Sequence, residues 1–348
     1  MNIEFDQIPF SPFAQLLEAI MNPRFLLLAA LASTATIALA QKNANLSLAL
    51  DWVPNVNHVG VYVAQSQGWY AQRGINLKIF PYGSVSPDVL VATNKADIGI
   101  SSGEGITTSA VNGEPVVSVA TVYNTNTSAL AVLESTKILR PKDLDGKVYA
   151  AFGAPYEKAI LERIIKTDGG KGVFKSPTLS VYGLEALLAG KADFMWIFEG
   201  VEGIEASRSG HKLRTFPLSK FGVPDYYTPV FSANRTRVMT NAANLKAFLE
   251  VTARGYDFAR KNPKAATALM VKALAKGSVA DPKIIEDGIH WFEARGAYAK
   301  PGKRWGVQEL KLWTDYPKFL LEHQVFPQAK MKTLEYGKLF TNALLPAK

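Results

Sequence analysis

Cysteine is absent from all 348 residues. That excludes structural disulfides, thiolate metal ligands, a cysteine nucleophile and a lipid-modified cysteine anchor. It does not define a compartment, because larger exported proteins often fold without disulfides. Histidine is scarce. His58, His211, His290 and His323 are scattered and form no H-x-x-x-H or H-E-x-x-H pair, so no dedicated metal site is expected. There is no G-x-x-x-x-G-K-[ST] phosphate loop and no G-x-G-x-x-G after a strand, and Ser101-Ser102-Gly103-Glu104-Gly105 lacks the G-x-S-x-G elbow. No nucleophile–base pair is legible and no cofactor is expected. These absences favour recognition over bond breaking.

What is present is an ordinary globular composition, 48% hydrophobic and 20% charged, enough for a substantial core. The formal charge is +9, and residues 1–40 contribute −2 of it, so the chain from Gln41 onward carries +11. The basic residues are dispersed, which reads as a solvated surface and not as a nucleic-acid interface. Met21-Asn22-Pro23-Arg24 opens an apolar run from Phe25 to Ala40 that ends Ala38-Leu39-Ala40. The run is about 16 residues, short of the roughly 20 needed to span a bilayer. The A-x-A pattern predicts a signal peptide cleaved near Ala40. Residues 1–20 are acidic where a leader should be basic, so translation from Met21 is an alternative to Met1.

From Leu46 short apolar strands alternate with helical stretches. Strands are predicted at Leu46–Trp52, Ile75–Tyr82, Asp97–Ser101 and Pro115–Tyr123, with helices at His58–Arg73, Ser86–Asn94 and Glu104–Val111 between them. A second set follows: strands at Lys147–Phe152, Thr178–Val181, Asp193–Phe198, Lys212–Pro217 and Tyr227–Ala233, with helices at Pro155–Lys166, Leu184–Ala189 and Glu199–Ser207. Beyond Asn241 the chain is mainly helical, with Leu245, Phe248, Leu249, Thr252 and Tyr256 on one face. This alternation predicts α/β architecture with mostly parallel sheets. Ligands in such folds bind outside the carboxyl ends of the strands.

Four segments lie there. Asp51 to His58 offers Trp52, Asn55 and His58, either as a ring face with amide and imidazole partners or as a packed Trp with a helix cap. Ser101 to Gly105 offers hydroxyls, free N–H groups and Glu104, which could equally complement the helix dipole. Asp193 to Gly200 offers Trp196 and Glu199, as stacking face and acceptor or as core strand and cap. At Tyr226-Tyr227-Thr228-Pro229, Tyr227 could touch a ligand or simply pack.

At these residues the chain resembles a known family. L-x-L-D-W-V-P-N-x-N-H-x-G-x-Y-x-A, then G-W-Y-x-x-x-G-I-N-L, A-D-I-G-I-S-S-G-E, G-E-P-V-V-S-V-A, P-K-D-L-D-G-K, A-D-F-M-W-I-F-E-G-V-E-G-I and D-Y-Y-T-P-V are similar to the thiamine-pyrimidine-precursor binding proteins of bacterial ABC importers. These are relatives of the eukaryotic hydroxymethylpyrimidine synthases. The resemblance implies a periplasmic-binding-protein-like fold of the two-crossover type, two α/β lobes joined by a hinge. Lobe 1 would be 41–130 plus 228–348 and lobe 2 131–227, with crossings near Ser128–Leu133 and Tyr226–Phe231. It implies a monomeric, periplasmic receptor for a small heteroaromatic ligand, delivering it to a membrane permease served by a separate ATPase. Trp52, Asn55, His58, Glu104, Trp196, Glu199 and Tyr227 are then the expected ligand shell. Riboflavin, sulfonate or nitrate are alternative ligands. The synthase relatives carry a pyridoxal-phosphate lysine, a reactive histidine and a cysteine-rich iron run. Gly99 to Ala110 here holds neither Lys nor His, and an enzyme is not expected.

Overall fold

The computed structural model describes residues 43–177, 183–279 and 281–346. The predicted leader and the predicted strand Thr178–Val181 lie outside them. Among the described residues nine strands form two sheets: β1 (Ala44–Ala49), β2 (Ile75–Phe80), β3 (Ile98–Ser101), β4 (Val116–Thr121), β5 (Ser128–Leu133), β6 (Tyr149–Ala150), β7 (Phe194–Phe198), β8 (Leu213–Pro217) and β9 (Val230–Asn234). The first sheet has the order β2-β1-β3-β9-β4 and the second β6-β7-β5-β8.

Each sheet holds one reversed strand. β1 runs parallel to β2 and β3, while β9 is antiparallel to both β3 and β4. In the second sheet β6 and β7 are parallel, and β5 is antiparallel to β7 and β8. The sheets are therefore mixed and not mostly parallel as expected: four of the seven strand pairings are antiparallel, all of them made by β5 and β9. Each is the first strand after the chain passes from one sheet to the other, so it enters from the far end and is laid down backwards. The two passages, Val122–Thr127 and Leu218–Pro229, lie side by side. Asp225 accepts hydrogen bonds from Thr125 Oγ1 (2.8 Å) and from the Asn126 and Tyr226 N–H groups (2.8 and 2.9 Å).

Local chemistry sets the elements that reach the strand ends. Asn55 caps the 3₁₀ turn Val56–His58, accepting from Asn57 N at 2.9 Å. The predicted helix His58–Arg73 breaks at Gly68, whose φ of +69° a side chain would resist, into Val59–Ser66 and Trp69–Gln72. Ser86 caps Pro87–Ala92, with proline at the first turn, where its missing N–H costs nothing. Ser102 caps Gly103–Val111, accepting from Gly105 N at 3.0 Å.

The long helix Ala242–Lys261 packs Leu245, Phe248, Leu249 and Tyr256 onto the first sheet's core with Leu48, Ile98 and Phe231. The second sheet's core joins Leu130, Ile160 and Phe194 with Tyr316, Phe319 and Leu320 of the late helix Leu312–Glu322. Trp313 of that helix is buried instead with Val230 and Leu339, beside the first sheet. The late helix therefore contributes to the cores of both sheets.

Candidate functional site

The loops that leave the carboxyl ends of β1, β3, β6 and β7 carry the polar and aromatic groups of interest. Glu104, in the first turn of Gly103–Val111, is buried, and its Oε2 has no hydrogen-bond partner. Burial pushes its carboxyl up to about 7, against the opposing pull of the Tyr226 hydroxyl, its own N–H and Ser102. The Tyr226 hydroxyl faces this carboxylate but is also buried without a well-formed bond. Its ring stacks on Tyr316 at 4.1 Å between centroids. Gly103 lets that ring approach, since a Cβ there would lie 3.2 Å from Tyr226 Cδ2.

Two further groups join Glu104. Asp88 accepts from Ser101 Oγ at 2.8 Å and Ser232 Oγ at 3.3 Å, and burial pushes its carboxyl up to about 6. Gly105 makes this possible, because a Cβ there would sit 2.6 Å from Asp88 Oδ2. Tyr156 comes from the loop after β6, on the other sheet. Burial, followed by the charges of Glu104, Glu157 and Asp88, holds its phenol well above the usual range, while a hydrogen bond with Ser102 opposes this. The loops of the two sheets thus meet at Ser102, Glu104 and Tyr156. Around Tyr156 stand Phe152 and Trp196, with Trp196 edge-on to both at 5.9 and 6.4 Å.

The charge of this region is one-signed. Glu202 accepts from Phe198 N at 2.9 Å and is pushed up to about 7 by burial, with Glu205 and Asp51 adding repulsion. Asp51 also acts on Asp88. No basic side chain is among the main influences on Glu104, Asp88 or Glu202. Among the described residues no group of three or more His, Cys, Asp or Glu is arranged to hold a metal ion.

Of the seven residues singled out in the sequence, Glu104 and Trp196 stand together around Tyr156. Trp52 is exposed on the β1 loop and pairs with Tyr82 at 4.9 Å. Glu199 follows β7 and accepts from Thr215 Oγ1 at 2.7 Å. Three are engaged locally. Asn55 is the cap described above, and its amide also donates to Val53 O. His58 is fully buried. Its Nδ1 accepts from Asn55 N at 3.2 Å, which leaves Nε2–H to donate to Asp51 Oδ1 at 2.9 Å. Tyr227 Oη accepts from Glu309 N at 2.9 Å, and its ring leans on Trp313. The Tyr227 carbonyl takes the Gly103 N–H at 2.8 Å, so its backbone seats the helix that carries Glu104. Sequence reasoning missed Asp88, Tyr156 and Glu202. Asp88 was hidden as an ordinary first-turn acid, and Tyr156 sits in a loop whose facing partner is on another sheet.

A family model described as NMT1/THI5 like matches residues 55–266. The chain belongs to this family. It is 27% identical over 227 residues to the formylaminopyrimidine-binding protein of Halalkalibacterium halodurans, covering 64% of this chain and 68% of that one. It is 22% identical over 242 residues to a 4-amino-5-hydroxymethyl-2-methylpyrimidine phosphate synthase of Legionella pneumophila, covering 68% and 76%. The fold is that of periplasmic binding proteins. The ligand-binding component of an ABC-type import system from Staphylococcus aureus superposes with a TM-score of 0.64 at 12% identity, over 86% of this chain and 97% of that one. The aliphatic sulphonate binding protein of Escherichia coli gives 0.60 at 15%, over 84% and 92%.

Proposed function

We propose that the chain is the solute receptor of an ABC importer and binds an aminopyrimidine precursor of thiamine between its two lobes. The observation that carries this reading is Glu104, a buried carboxyl with an unbonded oxygen, in a family that includes a formylaminopyrimidine-binding protein. An aminopyrimidine presents an exocyclic N–H beside a ring nitrogen. Glu104, with a pKa of about 7, can accept from the amine and share a proton with the ring nitrogen, a two-point, charge-assisted contact. Tyr156, Phe152 and Trp196 supply flat apolar surface for the ring. Asp51, Asp88 and Glu202 would repel a sulfonate or nitrate, which argues against anionic ligands despite the sulphonate-binding fold relative.

The lobes would be 41–130 with 228–348, and 131–227, closing about the paired passages at Asp225, with the late helix bridging them. The reading is of a binding protein and not a synthase, because Gly99 to Ala110 offers no lysine for a Schiff base. Residues 21–40 would direct export to a periplasmic space with cleavage near Ala40, and a separate permease and ATPase would complete the importer.

The test is calorimetry of wild type and Glu104→Gln with formylaminopyrimidine and hydroxymethylpyrimidine, with taurine and nitrate as controls. Glu104→Gln should weaken aminopyrimidine binding by about 1.5–3 kcal/mol, the range for a charge-assisted hydrogen bond. Equal affinity in both proteins removes Glu104 from the site. Tight binding of taurine or nitrate with no response to either pyrimidine overturns the ligand class.

A further inference from the structure

Away from the strand-end loops, a groove of about 350 Å³ lies between the helix Ala242–Lys261 and the segment 298–305. Arg254, Arg260, Lys303 and Arg304 line it, against Asp257 as the acid in its wall. Asp257 is itself shared, at 3.2 Å from Arg260 Nε and 2.6 Å from Lys261 Nζ. Arg260 Nε is buried and makes no aligned hydrogen bond. Tyr298, only 2% exposed, also lines the groove, and its hydroxyl, which makes no aligned hydrogen bond, faces Tyr123. Glu293 is the other acid that acts on Tyr298.

One feature distinguishes this groove from a solvated basic face. The Arg254 guanidinium lies 3.7 Å over the Trp69 ring, which fixes its plane before any ligand arrives. We propose that this groove binds a compact anion built on phosphoryl groups with at least two negative charges. The cations come from two directions, Arg254 and Arg260 from the helix, Lys303 and Arg304 from the facing segment, where Arg304 also donates to Pro346 O. A tetrahedral oxyanion offers oxygens to both sides, whereas a planar carboxylate serves one guanidinium fork at a time. The volume suits a diphosphate-sized ligand and falls within the range of small-molecule sites. The same chemistry occurs on a free phosphate compound and on an anionic lipid headgroup.

The experiment uses the chain from Gln41 onward, titrated with inorganic pyrophosphate by calorimetry, and sedimented in parallel with cardiolipin vesicles. The comparison is the double variant Arg260→Gln/Lys303→Gln, with circular dichroism and formylaminopyrimidine binding as checks that it is folded. We expect saturable binding in at least one arm and at least a tenfold loss in the variant. Pyrophosphate binding assigns a soluble ligand, and vesicle binding alone assigns a headgroup. Absence of saturable binding in both arms, or equal binding by the variant, overturns the proposal. Because no groove cation belongs to the pyrimidine site, failure here leaves that reading untouched.

Discussion

Glu104 keeps its proton longer in the folded protein than in the unfolded chain, and this has a signed consequence for stability. Its carboxyl rises from 4.5 to about 7 on folding, and Asp88 and Glu202 shift the same way. Between those limits the folded state binds more protons than the unfolded one. Stability contributed by Glu104 is therefore full below pH 4.5, falls as pH rises to about 7 and is flat above. Glu104→Gln removes the titration and keeps the shape. The empty variant should be more stable than wild type at pH 8, by on the order of 2–3 kcal/mol, with little difference at pH 4.5. Urea unfolding at the two pH values measures this. Parallel stability profiles for the two proteins would mean that Glu104 does not titrate in this range. The result bears on the proposed function, because a carboxyl that destabilises the empty protein would be relieved by a ligand that donates to it.

Among the elements, the helices Val59–Ser66 and Ala242–Lys261 control where the β1 loop stands. Gly60 and Gly255 let their backbones touch: a Cβ on Gly255 would lie 1.9 Å from Gly60 O, and one on Gly60 would lie 2.4 Å from the Tyr256 ring. Tyr256 Oη then donates to Asn57 O at 2.5 Å, tying the loop with Trp52 and His58 to the long helix. Gly255→Ala should force the helices apart and cost about 2–3 kcal/mol, as overpacking does. Urea denaturation checks it, and an unchanged midpoint would contradict the contact. The helical face of Leu245, Phe248 and Tyr256 was legible in the sequence, because its partners recur at helical spacing. The glycine contact was not, because nothing in either segment names the other. The same limit explains β5 and β9. Their apolar residues mark buried segments, but strand direction depends on which end of the sheet the chain enters. It also explains the candidate site. Glu104 and Trp196 could be read from segments at strand ends, whereas Asp88 and Tyr156 acquire meaning only when separate loops meet.

At the scale of the whole molecule, both passages between the sheets are held together at Asp225, so any motion of one half against the other would involve that pair and the late helix, which packs into both cores. Contacts far from the pair then decide which state the empty protein prefers. Arg208, on the helix Glu202–Arg208 beside the second sheet, reaches Asp281 at 2.5 Å and Asp287 at 2.8 Å, near and within the helix Lys283–Ala294. In the same region Gly200 O lies 2.9 Å from where a Gly288 Cβ would be, so the halves also meet by close backbone packing. The ion pairs are exposed enough to be screened by salt, while the packing is not. A ligand held, as proposed, by Glu104 from one half and by Tyr156 and Trp196 from the other would add contacts that exist only when the halves are together, and so would shift the population toward closure. Solution scattering should therefore show a smaller radius of gyration with hydroxymethylpyrimidine bound. Arg208→Ala should enlarge the empty protein at low salt and weaken the apparent affinity, because closure then draws more of the binding energy. High salt should erase the difference between variant and wild type. An identical radius for the empty and ligand-saturated wild type would remove closure from the binding mechanism, leaving a preformed site.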